Sequence, residues 1–267
     1  MDYIDVFGLD GSQQKSIEVP KIFSDKVRND LISRAVLAEK SLGLQPQGHY
    51  VLAGMQTTAR YYGAMNSWRT GRHMGIAIRP REKLGGGVQG KVKRIPSAVK
   101  GKRAHPHLIE KKVVEQINNK EYKKAIASAV AATSKPELIR LRDIKNKLPI
   151  VISNDVESLK KTSQVIDVFK NLKLDSAVKH GKIKTLRKGV RRASKLKIYK
   201  KSILIVVKND SGIIRAARNI PGVDACTVGS ISAELLAPGG MPGRITVWSE
   251  AAISGIAEGI SKISIRK

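Results

Sequence analysis

Residues 44–107 constrain the fold of this chain more than any other stretch. They carry ten glycines and twelve basic residues against one acid, Glu82. No window among them sustains the period of a helix or of a strand. Such a segment lacks the apolar surface that would offset the entropy of ordering it alone. A stretch of this length without regular structure is uncommon inside a compact domain, and is either functional or disordered. The expectation is a long irregular basic loop that orders against a partner. Tyr50, Tyr61, Tyr62 and Trp68 are interleaved with the charges, and Ile76, Ile78, Val88, Val92 and Ile95 add apolar contacts. Aromatic faces and arginine planes stack on unpaired bases while cations hold phosphates, so the composition suits a nucleic acid.

The flanking sequence reads as an α/β body. Residues 3–7 and 15–19 bracket Asp10-Gly11-Ser12 and predict a short hairpin. Beyond Pro20, Leu31, Ala35, Ala38 and Leu42 form a helical stripe, with Ser24 or Asp25 as the expected cap and Gly43 as the stop. Tyr122, Ile126 and Val130 repeat at four within an alanine-rich helix, and Ser134 with Pro136 suggests the start of a second. Residues 149–152 and 202–208 are buried-strand signals, with weaker ones at 224–228 and 244–248. Helix-like segments follow these strands, including one from Val156 to Leu172 in register and one through Ile253, Ile256 and Ile260. Strands alternating with helices predict a three-layer α/β/α body with a mostly parallel sheet. The expected division is 1–43 and 108–267 for the body and 44–107 for the insertion.

A second basic block occupies residues 179–201, with eleven Lys and Arg and no acid. Over the whole chain, 50 Lys and Arg face 22 Asp and Glu, a formal net charge of +28. A compact molecule carrying that charge repels itself, which implies a polyanionic partner. Nucleic acid answers this through counterion release. A membrane surface would want an amphipathic basic helix, and the glycines of the first block argue against one. No apolar run reaches the roughly 20 residues of a membrane span, and the first residues lack a signal-peptide layout. The one cysteine, Cys226, cannot form an internal disulfide and fits a reducing compartment. Together these features predict a soluble intracellular protein.

An α/β body also invites an enzymatic reading. Residues 85–91, Gly-Gly-Gly-Val-Gln-Gly-Lys, satisfy GxGxxG formally, and Val92 stands where a P-loop needs a hydroxyl. A phosphate-binding turn needs a buried strand before it and a helix start after it, yet Arg79-Pro80-Arg81 precedes and Arg94-Ile95-Pro96 follows. Glycines that let a loop bend tightly against RNA are the better reading. His105 and His107 flank Pro106 without zinc spacing, His49, His73 and His180 are scattered, and Asp155, Glu157, Asp224 and Glu234 form no convincing acid–base pair. Ser230 and Ser232 lack a nucleophile elbow. No catalytic residue, metal or cofactor is expected. The alternative, an RNA-modifying enzyme with a Rossmann-like body, would need a cofactor turn after the first body strand.

Three stretches then carry a resemblance: Gly54-Met55-Gln56-Thr57-Thr58-Ala59, Ser67-Trp68-Arg69-Thr70-Gly71-Arg72, and residues 95–106, Ile-Pro-Ser-Ala-Val-Lys-Gly-Lys-Arg-Ala-His-Pro. They resemble the long loop of the large-subunit ribosomal protein L-four (uL-four) family, in its archaeal and eukaryotic branch. Residues 31–38, 219–223, 234–239 and 246–252 resemble the same family, so the likeness spans nearly the whole chain at an archaeal length. Met55-Gln56-Thr57-Thr58 stands where many archaeal members carry Lys-Arg-Thr-Ser. The resemblance implies a cytoplasmic protein of the large ribosomal subunit, a structural rather than catalytic one, that supports subunit assembly. Its implied partners are large-subunit rRNA, neighbouring ribosomal proteins, and the nascent peptide in transit. The loop would thread rRNA to the peptide exit tunnel, with its tip at Arg69, Gly71, Arg72, His73 and Met74. Arg60, Trp68, Arg69, Arg72, Arg79, Arg81, Lys91, Lys93, Arg94, Lys100, Lys102, Arg103 and His105 would contact rRNA. On the body, Lys188, Arg191 and Arg192 would add a first electrostatic docking surface.

Overall fold

The computed structural model describes residues 3–61, 75–139, 146–186 and 197–264. The chain forms two compact units, Met1–Gly43 with Val114–Lys267 and, separately, Leu44–Val113. The first unit begins with β1 (Tyr3–Phe7), β2 (Gln13–Glu18) and α1 (Asn29–Leu42). The second unit contains β3 (Arg81–Lys83) and β4 (Gln89–Val92). The first resumes with α2 (Asn119–Ser134), β5 (Ile150–Ile152), α3 (Thr162–Asn171), α4 (Asp175–Gly181), β6 (Lys184–Leu186) and β7 (Lys197–Tyr199). It then runs through β8 (Ile203–Val207), α5 (Ile213–Ala217), β9 (Asp224–Thr227), α6 (Ala233–Leu236), β10 (Ile245–Ser249) and α7 (Glu250–Lys262).

Its sheet has the order β2-β1-β5-β10-β8-β9. All neighbours are parallel except the β1–β2 hairpin, so the sheet is mostly parallel as expected. Parallel strands joined by helical crossovers are buried on both faces and read as continuous apolar runs. Every residue of β5, β8 and β10 is buried accordingly. Alternation along each strand sorts the side chains into two layers. Val6, Val151, Leu204, Val206 and Trp248 pack with α1, α2, α6 and α7. Ile150, Ile152, Ile203, Ile205, Val207 and Val247 pack with α3, α4 and α5. The body is therefore α/β/α in three layers.

Local details depart from the sequence reading at helix ends. Neither Ser24 nor Asp25 caps α1. Residues Lys21–Ser24 form a 3-10 turn, and the helix starts at Asn29 after Arg28. That turn drives Phe23 into the core, where its ring meets Trp248 edge-on at 5.6 Å and 88°. Packing of a large aromatic thus overrides a local capping preference. Ser134 likewise closes α2 instead of opening the next turn, and the 3-10 turn Pro136–Leu138 begins after Lys135. The single helical stretch expected around Val156 to Leu172 is two pieces, a 3-10 turn at Asn154–Ser158 and then α3.

Candidate nucleic-acid interface

In the second unit, the segment expected to lack regular structure contains an antiparallel hairpin, β3 with β4. Its turn is the glycine run Gly85–Gly87. Gly86 adopts φ 73, a conformation that L side chains rarely take, and the Leu84 N–H donates to the Val88 carbonyl at 3.1 Å. The triple glycine is thus a hairpin turn. Residues 58–60 run alongside: the Arg60 N–H donates to the Arg81 carbonyl at 3.3 Å, and the Lys83 N–H to the Thr58 hydroxyl at 3.2 Å. Ala59 is enclosed between them. The Lys93 N–H closes on the Pro80 carbonyl at 3.1 Å. Residues 95–101 follow as two consecutive turns, Ala98 N–H to Ile95 at 3.2 Å and Gly101 N–H to Ala98 at 3.0 Å. A Cβ at Gly101 would strike the Ile95 carbonyl, which leaves glycine as the residue that fits.

Four cations of this unit donate to neutral acceptors. Arg79 Nη1 donates to Ser97 Oγ at 3.4 Å and Arg81 Nη2 to the Ala77 carbonyl at 3.3 Å. Lys93 Nζ donates to the Val99 carbonyl at 3.3 Å and Arg94 Nη1 to the Ala59 carbonyl at 3.2 Å. These contacts orient the side chains and leave their charge uncompensated. Among the described residues, Arg60, Arg79, Arg81, Lys91, Lys93, Arg94, Lys100, Lys102 and Arg103 make no ion pair. Arg60, Arg79, Lys91, Lys100, Lys102, Arg103 and His105 are exposed, and Arg81, Lys93 and Arg94 are half-buried. Arg94 and Lys100 take φ 68 and φ 58, uncommon for residues with a Cβ and held here by the surrounding turns. Trp68, Arg69, Gly71, Arg72, His73 and Met74 lie outside the described residues, as do Lys188, Arg191 and Arg192. The β6–β7 hairpin flanks that second group, and Lys184 Nζ sits 5.2 Å from the Tyr199 ring centre.

The body holds a further electropositive feature that the sequence reading did not single out. The amino-terminal ends of β8 and β10 frame a cleft of ≈ 380 Å³, lined by His180, Lys200, Lys201, Pro238, Met241 and Arg244 among others. Arg244 is 4% exposed and forms the floor. Its guanidinium donates to the carbonyls of Ser202, Ile203 and Leu235 at 3.3, 2.9 and 2.8 Å, and to Asp224 Oδ2 at 2.6 Å. Lys201 Nζ takes the other carboxylate oxygen at 2.7 Å. Burial pushes the Asp224 carboxyl upward, but the charges of Arg244 and Lys201 outweigh it and hold the group below the ordinary carboxylate range. Burial also pushes the nearby Cys226 thiol up to about 12, far from a nucleophile's range. The available signal was Arg244 itself, a cation at the head of the strand signal 244–248.

The chain has relatives among known proteins. The pattern that defines the ribosomal protein L4/L1 family matches residues 17–259. The large ribosomal subunit protein uL4 of Archaeoglobus fulgidus is 40% identical over 257 residues, covering 95% of this chain and 97% of that protein. The uL4 proteins of Methanococcus maripaludis strain C7 and of Methanocaldococcus jannaschii are 40% and 39% identical, each over 95% of this chain.

Proposed function

Since this chain belongs to the ribosomal protein L4/L1 family, we propose that it is a structural constituent of the cytoplasmic large ribosomal subunit and binds large-subunit rRNA through residues 44–113. The observation that carries the reading is a set of cations in that unit, Arg60, Arg79, Arg81, Lys91, Lys93, Arg94, Lys100, Lys102 and Arg103, that face solvent or neutral acceptors and have no carboxylate partner among the described residues. Charges left unpaired in this way are available to phosphates, and each phosphate neutralised adds to affinity. Large apolar side chains support it. Tyr50, Val51, Ile78, Leu84, Val88, Val99 and Ile109 are all exposed. A free soluble protein seldom leaves so many uncovered, whereas an unpaired base or a neighbouring protein covers them productively.

In this reading the hairpin and its glycine turn approach the rRNA backbone, with Arg79, Arg81, Lys91, Lys93 and Arg94 on phosphates and Lys100, Lys102, Arg103 and His105 extending the contact. Residues 69–74 reach the exit tunnel and meet the nascent peptide. Residues 179–201, through Lys188, Arg191 and Arg192, supply the first docking surface on the body. The role is positional: no step of chemistry is assigned to any residue. The test is sedimentation of the tagged protein from its native extract at low and high monovalent salt. Stoichiometric travel with the large subunit that survives the high-salt wash is the expected result. Protein left at the top of the gradient, or removed by moderate salt, would overturn an integral ribosomal role.

A further inference from the structure

We propose that the cleft at the amino-terminal ends of β8 and β10 receives one unstacked nucleotide of an RNA strand, its phosphate on Lys200 and His180 and its base against Met241 and Pro238. The inference rests on the RNA-binding reading and adds a specific subsite, on the body, to it. Charge is the first argument. Arg244 and Lys201 share the Asp224 carboxylate, so that trio carries one net positive charge, and Lys200 adds a second without any ion pair among the described residues. The cleft is therefore cationic around a floor that is already fully organised. The Arg244 guanidinium is fixed by backbone carbonyls and Asp224, so it supplies a field without having to reorient.

His180 is the second argument. Its Nδ1 is shielded from solvent and has no hydrogen-bond partner. A shielded ring nitrogen left unpaired is costly, and native structures rarely leave one without a reason. The ring lines the cleft, and a phosphate oxygen seated there would give it a partner once the imidazole turns to bring a nitrogen into the opening.

Size and lining identify the ligand class. A volume of ≈ 380 Å³ lies at the small end of the range for small-molecule pockets, which admits one nucleotide and excludes a duplex. Met241 is 64% exposed and, with Pro238, gives the cleft an apolar wall beside its cations. Polarizable thioether and flat pyrrolidine suit the face of a base. RNA presents splayed-out bases of this kind in loops and bulges.

The test uses the full chain with ¹³C-labelled histidine, the His180 imidazole signal being assigned by loss in His180→Gln. Adenosine 5′-monophosphate is titrated first, then a short single-stranded oligoribonucleotide, with rRNA binding measured separately. The expected result is a saturable His180 shift with the mononucleotide, weakened about tenfold or more in Lys200→Ala. The oligonucleotide should produce the same shift at lower concentration, which identifies a strand as the source. A missing shift, or one unchanged by Lys200→Ala and by Met241→Ser, overturns the site. A mononucleotide that binds more tightly than the strand overturns RNA as its occupant. If the shift fails while rRNA binding persists, the subsite alone falls; if rRNA binding fails as well, the ribosomal reading falls with it.

Discussion

Asp224 is the residue on which the charged floor of the body depends. It balances Arg244, whose side chain is 2% exposed, and anchors Lys201 from the surface. Removing one partner of a buried pair leaves the other charge stranded, which costs more than the pair's net contribution. Asp224→Asn should therefore lower the unfolding free energy at neutral pH by about 3 kcal/mol, measured by urea denaturation. The pH dependence has a definite sign. The folded carboxyl titrates below its unfolded value, so its contribution is complete above about pH 4 and drains as pH falls through the lower folded value. The gap between wild type and Asp224→Asn should stay constant from neutral pH down to that point and then shrink. A gap that widens in acid would mean that the carboxyl is not held ionised by its neighbours.

Strands and helices show where a one-dimensional reading succeeds. β8 was legible because a strand covered on both faces must be apolar throughout, and residues 203–207 are. The β1–β2 hairpin was legible because Asp10-Gly11 demands a turn, and Gly11 takes φ 76 there. β3 and β4 were not, because three or four residues with Val92 as their one apolar side chain carry no hydrophobic period, and only pairing across the Gly86 turn makes them strands. The true start of α1 was hidden for another reason: Phe23 had to reach Trp248, a partner more than two hundred positions away. The cleft was the least legible feature, since His180, Lys200 and Arg244 meet only because β8 lies beside β10. Within β10, Trp248 is fully buried and its indole N–H has no partner. Trp248→Ala should cost about 3–5 kcal/mol through the cavity it leaves. Trp248→Phe should cost less than half of that, because it keeps most of the ring and removes an unsatisfied donor. Equal losses in the two variants would show that the indole N–H matters more than the packing.

For the whole molecule, a net charge of +28 predicts how binding responds to salt. With roughly 10 phosphate contacts, log affinity should fall against log salt with a slope of about −7 to −9. Filter binding to a large-subunit rRNA fragment across a salt series measures it, and a slope near −2, flagged by about three contacts or fewer, would defeat a phosphate-dominated interface. One topological fact reaches beyond binding. β10 is the last strand in sequence among the described residues, yet it sits between β5 and β8. While the chain is being synthesised, β2-β1-β5 and β8-β9 are two fragments, each with a bare edge where their common neighbour belongs. Commitment to the fold is thereby deferred until residues 245–249 have been made. A copy broken off before residue 245 displays two open edges of the kind that aggregate or attract chaperones and proteases. The order of manufacture thus separates copies that carry β10 from those that lack it.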